Sequence, residues 1–270
     1  MLAPAWRVSP GAASMQRLDH LSAVAARFDG MLIDQFGVIH DGEKLSPGIR
    51  ETLEHLRREK IPVVIMTNSA KRADANCKRL VAMGLDRTLF VDAISSGEIA
   101  YQYLSGAAPR RAYIIGRDGD DYGFDNIEPV SDPRDAELLL ILGSNAPKTS
   151  LDQYRELLSG LTIPALCCNP DKLMLTRDGL QPAPGTIASL YEEMGGKVEW
   201  IGKPHPQIYA AALARIGNPS EALCIGDSAE HDVAGGRRAG LGTLIVRTGL
   251  SAGLERFDPE PDYLMDTLTW

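Results

Sequence analysis

Short apolar segments alternate with segments of helical periodicity along most of this chain, and no other feature restricts its fold as strongly. Residues 30–34 and 61–66 are apolar runs of the length of a buried strand. The segment between them starts near Pro47 and places Leu53 and Leu56 on one helical face. A strand, a crossover helix and a second strand form a unit whose two strands lie parallel in one sheet.

The same alternation continues towards the C-terminus. We predict further strands at 112–115, 138–142, 163–167, 198–201, 222–225 and 242–247, and helices at 150–158, at 206–215 and from about 231. Repeated strand–helix units of this kind predict an α/β fold with a Rossmann-like parallel-sheet core.

Composition and charge restrict the class of protein. The chain has 270 residues, enough for about two domains. Its 28 basic residues against 36 acidic ones give a net charge of −8, which disfavours a nucleic-acid partner. No run approaches the ~18 apolar residues of a membrane span, so no membrane partner is expected. The cysteines have neither disulfide-framework nor zinc spacing, as expected for reduced thiols of a cytoplasmic protein.

The N-terminal segment differs from the rest of the chain. Residues 1–27 carry Arg7, Arg17 and Arg27 and little acid, a composition with some likeness to a transit peptide. They lack the continuous apolar segment of a secretory signal. We therefore expect a loose N-terminal arm over residues 1–27.

Four polar clusters each follow a predicted strand. They are Asp34-Gln-Phe36-Gly37, Thr67-Asn68-Ser69, Gly202-Lys203-Pro204 and Gly226-Asp227-Ser-Ala-Glu-His-Asp232. A single Asp near a Gly at a strand end is usually only a turn. The carboxyl ends of parallel strands, however, meet at one edge of an α/β sheet, where such folds bind ligands. Four clusters of different chemical type at that edge predict a functional site.

The residues of these clusters complement one another chemically. Asp34 provides a carboxylate that can act as a nucleophile. Asp227 and Asp232 provide the hard oxygen ligands that Mg²⁺ prefers. Thr67 provides a hydroxyl, and Asn68 a backbone N–H that we expect at a helix N-terminus, where an anion is stabilised.

Lys203 adds a positive charge that can offset the carboxylates and the phosphoryl oxygens. A carboxylate, a divalent metal, an anion site and a lysine are together the groups required for phosphoryl transfer through an aspartyl-phosphate. On these residues the chain resembles the haloacid dehalogenase-like superfamily, and within it the class IIA phosphatases. The four motifs of that superfamily are matched in order by Asp34, by Thr67-Asn68, by Lys203, and by Gly226-Asp227 with Asp232.

The resemblance covers about residues 28–250 and implies a domain organisation. Only 33 positions separate Asp34 from Thr67, too few for a helical cap, whereas 136 separate Thr67 from Lys203. The resemblance therefore implies a core domain over 28–89 and 193–270, with an inserted α/β cap domain over 90–192.

The resemblance also implies roles for individual residues. Asp34 and Lys203 are the implied catalytic residues. The implied cofactor is Mg²⁺, with Asp34, the backbone carbonyl of Phe36, Asp227 and Asp232 at the metal. The implied phosphate- or substrate-binding residues are Thr67, Asn68, Lys203, Asn169 and Asp171. The expected substrate is a small phosphorylated metabolite, and class IIA relatives often form homodimers.

One residue departs from the family pattern. Phosphatases of the superfamily carry a second Asp two residues after the nucleophile, where it protonates the leaving oxygen, and this chain has Phe36 there. A phenyl ring neither gives nor takes a proton, and general acid–base assistance is typically worth ~10²–10⁴ in rate. We therefore expect hydrolysis that is slow or selective for good leaving groups, unless His40, Asp41 or His231 supplies the proton.

Two other functions stay open on the sequence alone. Haloacid dehalogenases also carry an aromatic residue at this position, but they place a helical cap between the first two motifs and work without a metal. A regulatory protein that binds phosphate and metal without turnover would also tolerate Phe36. Retention of Asp34, Lys203, Asp227 and Asp232 favours the phosphatase.

Overall fold

The computed structural model of the chain describes residues 15–106, 108–176 and 179–270. These residues divide into two compact units. The first contains the described residues up to Thr67, together with Cys77–Ile94 and Lys203–Trp270. The second contains Asn68–Asn76 and Ser95–Gly202.

The elements are numbered in chain order. The strands are β1 (Gln16–Arg17), β2 (Gly30–Asp34), β3 (Val63–Thr67), β4 (Asp92–Ser95), β5 (Arg111–Ile115), β6 (Glu128–Pro129), β7 (Leu138–Ile141), β8 (Ala165–Cys167), β9 (Leu173–Thr176), β10 (Gly179–Pro182), β11 (Val198–Trp200), β12 (Ala222–Gly226), β13 (Gly242–Val246) and β14 (Tyr263–Met265). The helices are α1 (Ser22–Ala25), α2 (Ile49–Arg58), α3 (Ala73–Ala82), α4 (Ser96–Ser105), α5 (Leu151–Leu158), α6 (Pro184–Glu193), α7 (Pro206–Arg215) and α8 (Ala234–Arg238), and a π-helical turn spans Ala229–Val233. None of these described helices has the length and apolar character needed to cross a membrane.

The first unit is built on a seven-stranded sheet with the strand order β1-β14-β13-β12-β2-β3-β4. The pairs β2–β3, β2–β12, β12–β13 and β13–β14 are parallel. Every residue of β2, β3 and β12 is buried, as in parallel sheets that are covered on both faces. The strand–helix–strand unit predicted from the first two apolar runs is confirmed.

The direction of the strand order reverses between β2 and β12. From β2 the chain proceeds to β3 and β4 on one side, and from β12 it proceeds to β13 and β14 on the other. Ile225 pairs with Ile33, so β2 and β12 end side by side. Such a reversal opens a crevice at the carboxyl ends of the strands. The topology therefore brings Asp34 and the residues after β12 to one place.

The expectation of a loose arm is wrong for the part of it that the structure describes. Strand β1 pairs in parallel with β14, and Leu18, Leu21 and Val24 are buried in the core of the first unit. Leu18 directly follows β1, Leu21 precedes α1 and Val24 lies within it, so this short strand and helix are anchored by three apolar side chains. Residues 1–14 of the expected arm lie outside the described residues.

The second unit has a five-stranded sheet with the order β11-β8-β7-β5-β6 and a separate antiparallel hairpin of β9 and β10. Strand β11 was expected in the core domain that starts at 193, but it pairs in parallel with β8. Residues 92–95 were expected in the cap domain over 90–192, but they form β4, a strand that the sequence analysis did not predict, in the seven-stranded sheet. Both expected boundaries are therefore wrong by one strand. For β11 the reason is that local periodicity predicts a strand without showing which sheet it joins.

We expect Gly97→Ala to destabilise the second unit. A Cβ atom at Gly97, in the first turn of α4, would lie 1.9 Å from the backbone oxygen of Ala70. Relieving this clash requires a shift of one of the two backbone segments, which costs more than moving a flexible side chain. Overpacking of this kind typically costs about 1–3 kcal/mol, and urea unfolding would measure it.

Gly106 at the C-terminus of the same helix is the matched control. It has no heavy atom within 4 Å of a Cβ position, and its φ of −80° suits alanine. Gly106→Ala should be neutral or slightly stabilising. Equal stability of the two variants would contradict the close approach at Gly97.

Candidate active site

Three buried carboxylates lie together at the carboxyl edge of the seven-stranded sheet. Asp34 ends β2, Asp227 follows β12, and Asp232 lies in the π-helical turn after it. Each contributes an oxygen, and these three oxygens all lie within 4.8 Å of one another. This distance suits a shared cation, because two oxygen ligands on opposite sides of a Mg²⁺ ion lie about 4 Å apart. No second group of three or more such side chains is found within the described ranges.

The π-helical turn fixes the position of Asp232. The backbone N–H of Ser228 donates to Asp232 Oδ2 at 3.1 Å, and Ser228 Oγ accepts from the N–H of His231 at 3.2 Å. A Cβ atom at Gly226 would lie 1.9 Å from Asp232 Cγ, so a side chain there would displace the carboxylate. The sequence predicted a helix from about His231. The structure instead places this turn first and starts α8 at Ala234.

Lys203 is buried between two of the carboxylates. Its Nζ lies 2.6 Å from Asp34 Oδ1 and 2.8 Å from Asp232 Oδ1. Burial by itself lowers the pKa of Lys203, but Asp232 and Asp34 raise that pKa above its ordinary value, so the group is an ammonium ion. Because the Asp232 oxygens accept from Lys203 and from the N–H of Ser228, the geometry favours Asp232 as the residue that anchors the lysine.

The site has more negative charge than Lys203 can offset. Burial raises the pKa of Asp34 above its ordinary value, Lys203 opposes this shift, and Asp232 and Asp227 reinforce it. One ammonium group faces three carboxylates, so a further cation would be stabilised there. Carboxylate oxygens without Cys or His partners suit a hard cation such as Mg²⁺ or Ca²⁺.

A loop that the sequence analysis did not single out holds Asp227. The backbone N–H of Leu250 donates to Asp227 Oδ2 at 2.8 Å, and Ser251 Oγ donates to the Asp227 backbone oxygen at 2.5 Å. A Cβ atom at Gly37, whose φ is +86°, would lie 2.2 Å from Asp227 Oδ2. The loop directly follows β13, so the strand-end criterion would have found it had we applied it to this last predicted strand.

Thr67 lies at the same edge of the sheet as Asp34. It is the last residue of β3 and is buried. The register pairs the preceding Met66 with Asp34, so the Thr67 hydroxyl group belongs to the strand end next to the carboxylate.

Asn68 begins the second unit, and the expectation that it lies at a helix N-terminus is wrong. Helix α3 starts only at Ala73. The carbonyl of Ser69 accepts a hydrogen bond from the N–H of Gly97, and that of Lys71 accepts from the Ser95 hydroxyl group. These carbonyls therefore bind the start of α4, a distant segment that the local sequence does not reveal.

Within the second unit, Asn68 contacts one of the predicted substrate residues. Asn68 Nδ2 donates to Asp171 Oδ1 at 2.7 Å. The N–H of Asp171 donates to Asn169 Oδ1 at 3.1 Å, which closes a turn. Ser96 Oγ donates to Asn68 Oδ1 at 3.4 Å. The structure thus brings Asn68, Asn169 and Asp171 together.

His40 and Asp41, two of the three candidate proton carriers, form hydrogen bonds within the loop after β2. His40 is 1% exposed, its Nδ1 accepts from the N–H of Gly42 at 2.9 Å, and its Nε2 lies 3.0 Å from the Gln35 carboxamide. Burial, followed by Arg79, lowers the pKa of His40 to about 4, so the ring is neutral. The carboxylate of Asp41 accepts two backbone N–H groups of the turn that follows it.

Comparisons with known proteins agree with this architecture. The sequence model of the family described as "Haloacid dehalogenase-like hydrolase" matches residues 31–128, and a second one, HAD-hydrolase-like, matches residues 200–270. Sugar-phosphatase AraL of Bacillus subtilis is 28% identical over 247 residues, which cover 88% of this chain and 90% of that protein. The chain belongs to the haloacid dehalogenase-like hydrolases.

Two solved structures extend the similarity to the fold. A haloacid dehalogenase-like hydrolase from Brucella suis superposes with a TM-score of 0.83 at 25% identity, over 93% of this chain and 100% of that one. A glycerol phosphate phosphatase from Mycobacterium tuberculosis, solved in complex with calcium, gives a TM-score of 0.65 at 27% identity, over 84% and 68%. The resemblance inferred from the four motifs is confirmed.

The second unit of this chain is inserted at the second motif, Thr67-Asn68. Between Asp34 and Thr67, a stretch described throughout, α2 is the single helix, so no helical cap lies there. The second unit, with its own parallel sheet, is inserted after Thr67. This placement is the one that the class IIA resemblance implied, and it differs from the placement expected for a dehalogenase.

We expect Lys203→Met to destabilise the protein by about 3–5 kcal/mol at neutral pH without added metal, because the buried carboxylates then lose their counter-charge. Adding Asp34→Asn should restore part of this loss, since it removes one of the repelling charges. Urea unfolding of both variants measures the effect.

Lys44→Met, at an exposed lysine of the loop after β2, is the control and should change stability little. A double variant as unstable as Lys203→Met would show that the loss arises from packing and not from charge.

Proposed function

We propose that this protein is a Mg²⁺-dependent hydrolase of small phosphate monoesters that acts through an aspartyl-phosphate on Asp34. The observation that carries the proposal is the buried cluster of Asp34, Asp227, Asp232 and Lys203 at the point where the strand order reverses. The Asp34 carboxylate attacks phosphorus and displaces the alcohol. Water then attacks the aspartyl-phosphate, which releases inorganic phosphate and regenerates Asp34.

The names of the relatives support this reaction class. AraL is named as a sugar-phosphatase, and the structural neighbour from Mycobacterium tuberculosis as a glycerol phosphate phosphatase. Both names describe the removal of phosphate from small molecules. We infer that the substrate of this chain is also a small phosphorylated metabolite.

The donor set fits a hard divalent cation. Asp34, Asp227 and the backbone carbonyl of Phe36 would hold Mg²⁺, and Asp232 would anchor Lys203 beside it. The bound ion would supply positive charge that stabilises the phosphoryl oxygens as Asp34 attacks. The hydrogen bond from the N–H of Leu250 keeps the Asp227 carboxylate in place for this role.

The phosphoryl group needs donors in addition to the metal. We propose that the Thr67 hydroxyl group and the Lys203 ammonium group bind its oxygens, since Thr67 ends the strand next to Asp34 and Lys203 Nζ lies 2.6 Å from Asp34 Oδ1. Asn68, Asn169 and Asp171 form one hydrogen-bonded group in the second unit, and we assign them to substrate binding.

Asp34→Asn should abolish phosphate release, because an amide is too weak a nucleophile to form the covalent intermediate. Release by the wild type should require Mg²⁺ and stop with a chelator. The measurement is inorganic phosphate from 4-nitrophenyl, acyl and alkyl phosphates, with and without Mg²⁺. Glu43→Gln, at an exposed carboxylate of the neighbouring loop, is the control and should retain activity.

Other outcomes of this screen would assign a different function. Phosphate release that survives Asp34→Asn would contradict the proposed nucleophile. Mg²⁺ and phosphate binding without turnover on any ester would indicate a regulatory protein. Release of halide from haloacids without metal would indicate a dehalogenase.

Phe36→Asp should raise the rate on alkyl phosphates by at least about tenfold, towards the ~10²–10⁴ that a general acid typically contributes. The gain on 4-nitrophenyl phosphate should be smaller, because nitrophenolate leaves without a proton. Phe36→Asn, which has similar size but cannot transfer a proton, is the matched control. Equal gains for the two variants would show that ring removal, and not proton transfer, changes the rate.

A further inference from the structure

Two large apolar side chains beside the carboxylate cluster are exposed. The Phe36 residue is 42% exposed and Leu250 is 54% exposed. Isolated exposed apolar side chains are common on proteins and need no explanation. These two differ from isolated surface residues because each belongs to a segment that builds the site: Phe36 follows Asp34, and Leu250 lies in the loop that holds Asp227.

Backbone contacts place the two residues on either side of one close crossing. A Cβ atom built on Gly249 would lie 2.9 Å from the Cα atom of Gly37, so the two glycines touch. Phe36 directly precedes Gly37 in the chain, and Leu250 directly follows Gly249. Leu250 also donates its backbone N–H to Asp227 Oδ2. Both side chains therefore start at the edge of the carboxylate cluster.

The Phe36 ring is held in a defined position. Its edge contact with the His40 ring has a centroid distance of 5.9 Å and an interplanar angle of 86°. A Cβ atom on Gly42 would come within 3.3 Å of Phe36 Cε2, so the ring packs over this glycine. The loop therefore covers part of the ring and leaves the rest open to a ligand, at little further cost in side-chain entropy.

We propose that Phe36 and Leu250 form an apolar subsite for the leaving group of the substrate, and that the substrates are phosphate monoesters of apolar alcohols or phenols. This inference rests on the proposed function. A polyol leaving group would have to desolvate hydroxyl groups against a phenyl ring and an isobutyl group that offer no hydrogen bond. An alkyl or aryl group would instead gain free energy from the apolar area that it buries.

The test uses phenyl phosphate and its 4-methyl, 4-ethyl, 4-propyl and 4-butyl derivatives. Their phenols are of nearly equal acidity, so the series changes apolar size and leaves the departure of the phenolate unchanged. For the wild type, kcat/KM should rise along the series, by up to about fourfold for each methylene that is buried. Leu250→Ala and Phe36→Ala should each flatten this rise. Leu254→Ala, an exposed leucine (47%) four residues further along, is the control and should keep the wild-type slope.

A second measurement keeps the test independent of turnover. The corresponding 4-alkylbenzylphosphonates cannot be hydrolysed, and calorimetry gives their dissociation constants for the wild type and the variants. A flat series in the wild type, or the same slope in all three variants, would overturn the subsite. If the wild type hydrolysed none of the phosphates but still bound the longer alkyl phosphonates more tightly, the proposed function would be overturned and the apolar subsite would stand.

Discussion

The ammonium group of Lys203, buried between Asp34 and Asp232, is the interaction on which the site depends. Carboxylates are costly to bury at close range unless a positive charge accompanies them. The lysine offsets only part of that charge, because Asp227 lies within the same cluster. The remaining negative charge is what a divalent cation would neutralise. Lys203 thus makes the burial of the carboxylates tolerable in the folded protein, and the remaining negative charge suits one more cation.

Backbone geometry makes this cluster possible. The reversal of strand order places the ends of β2 and β12 next to each other, so two acidic segments from opposite ends of the chain meet. Glycines then allow close approach: Gly37 lies against the carboxylate of Asp227, and Gly226 lies against that of Asp232. A larger residue at either position would push a carboxylate out of the cluster. The acidic residues therefore depend on their small neighbours as much as on each other.

At the edge of the carboxylate cluster, this chain carries the phenyl ring of Phe36 where phosphatases of the superfamily carry a second Asp. The ring adds apolar surface where a proton carrier was expected, and neighbouring His40 is buried and neutral. Under the proposed function, a missing general acid would disfavour leaving groups of low acidity, and the apolar contact would disfavour polar ones, so esters of apolar phenols would satisfy both conditions. The sugar and glycerol phosphate relatives need not, for this reason, share their substrates with this chain.

Local sequence patterns by themselves determined the α/β class, the main strands of both sheets and the acidic residues at strand ends, because periodicity records which side chains are buried. Strand pairing decided the rest. Periodicity did not predict β4, and it could not show that β11 joins the second sheet or that Leu18, Leu21 and Val24 pack into the core. Nor could it show that Leu250, 216 residues after Asp34, reaches the same cluster through a hydrogen bond to Asp227. Contacts between residues far apart in sequence are set by which strands pair, and only the tertiary structure fixes that.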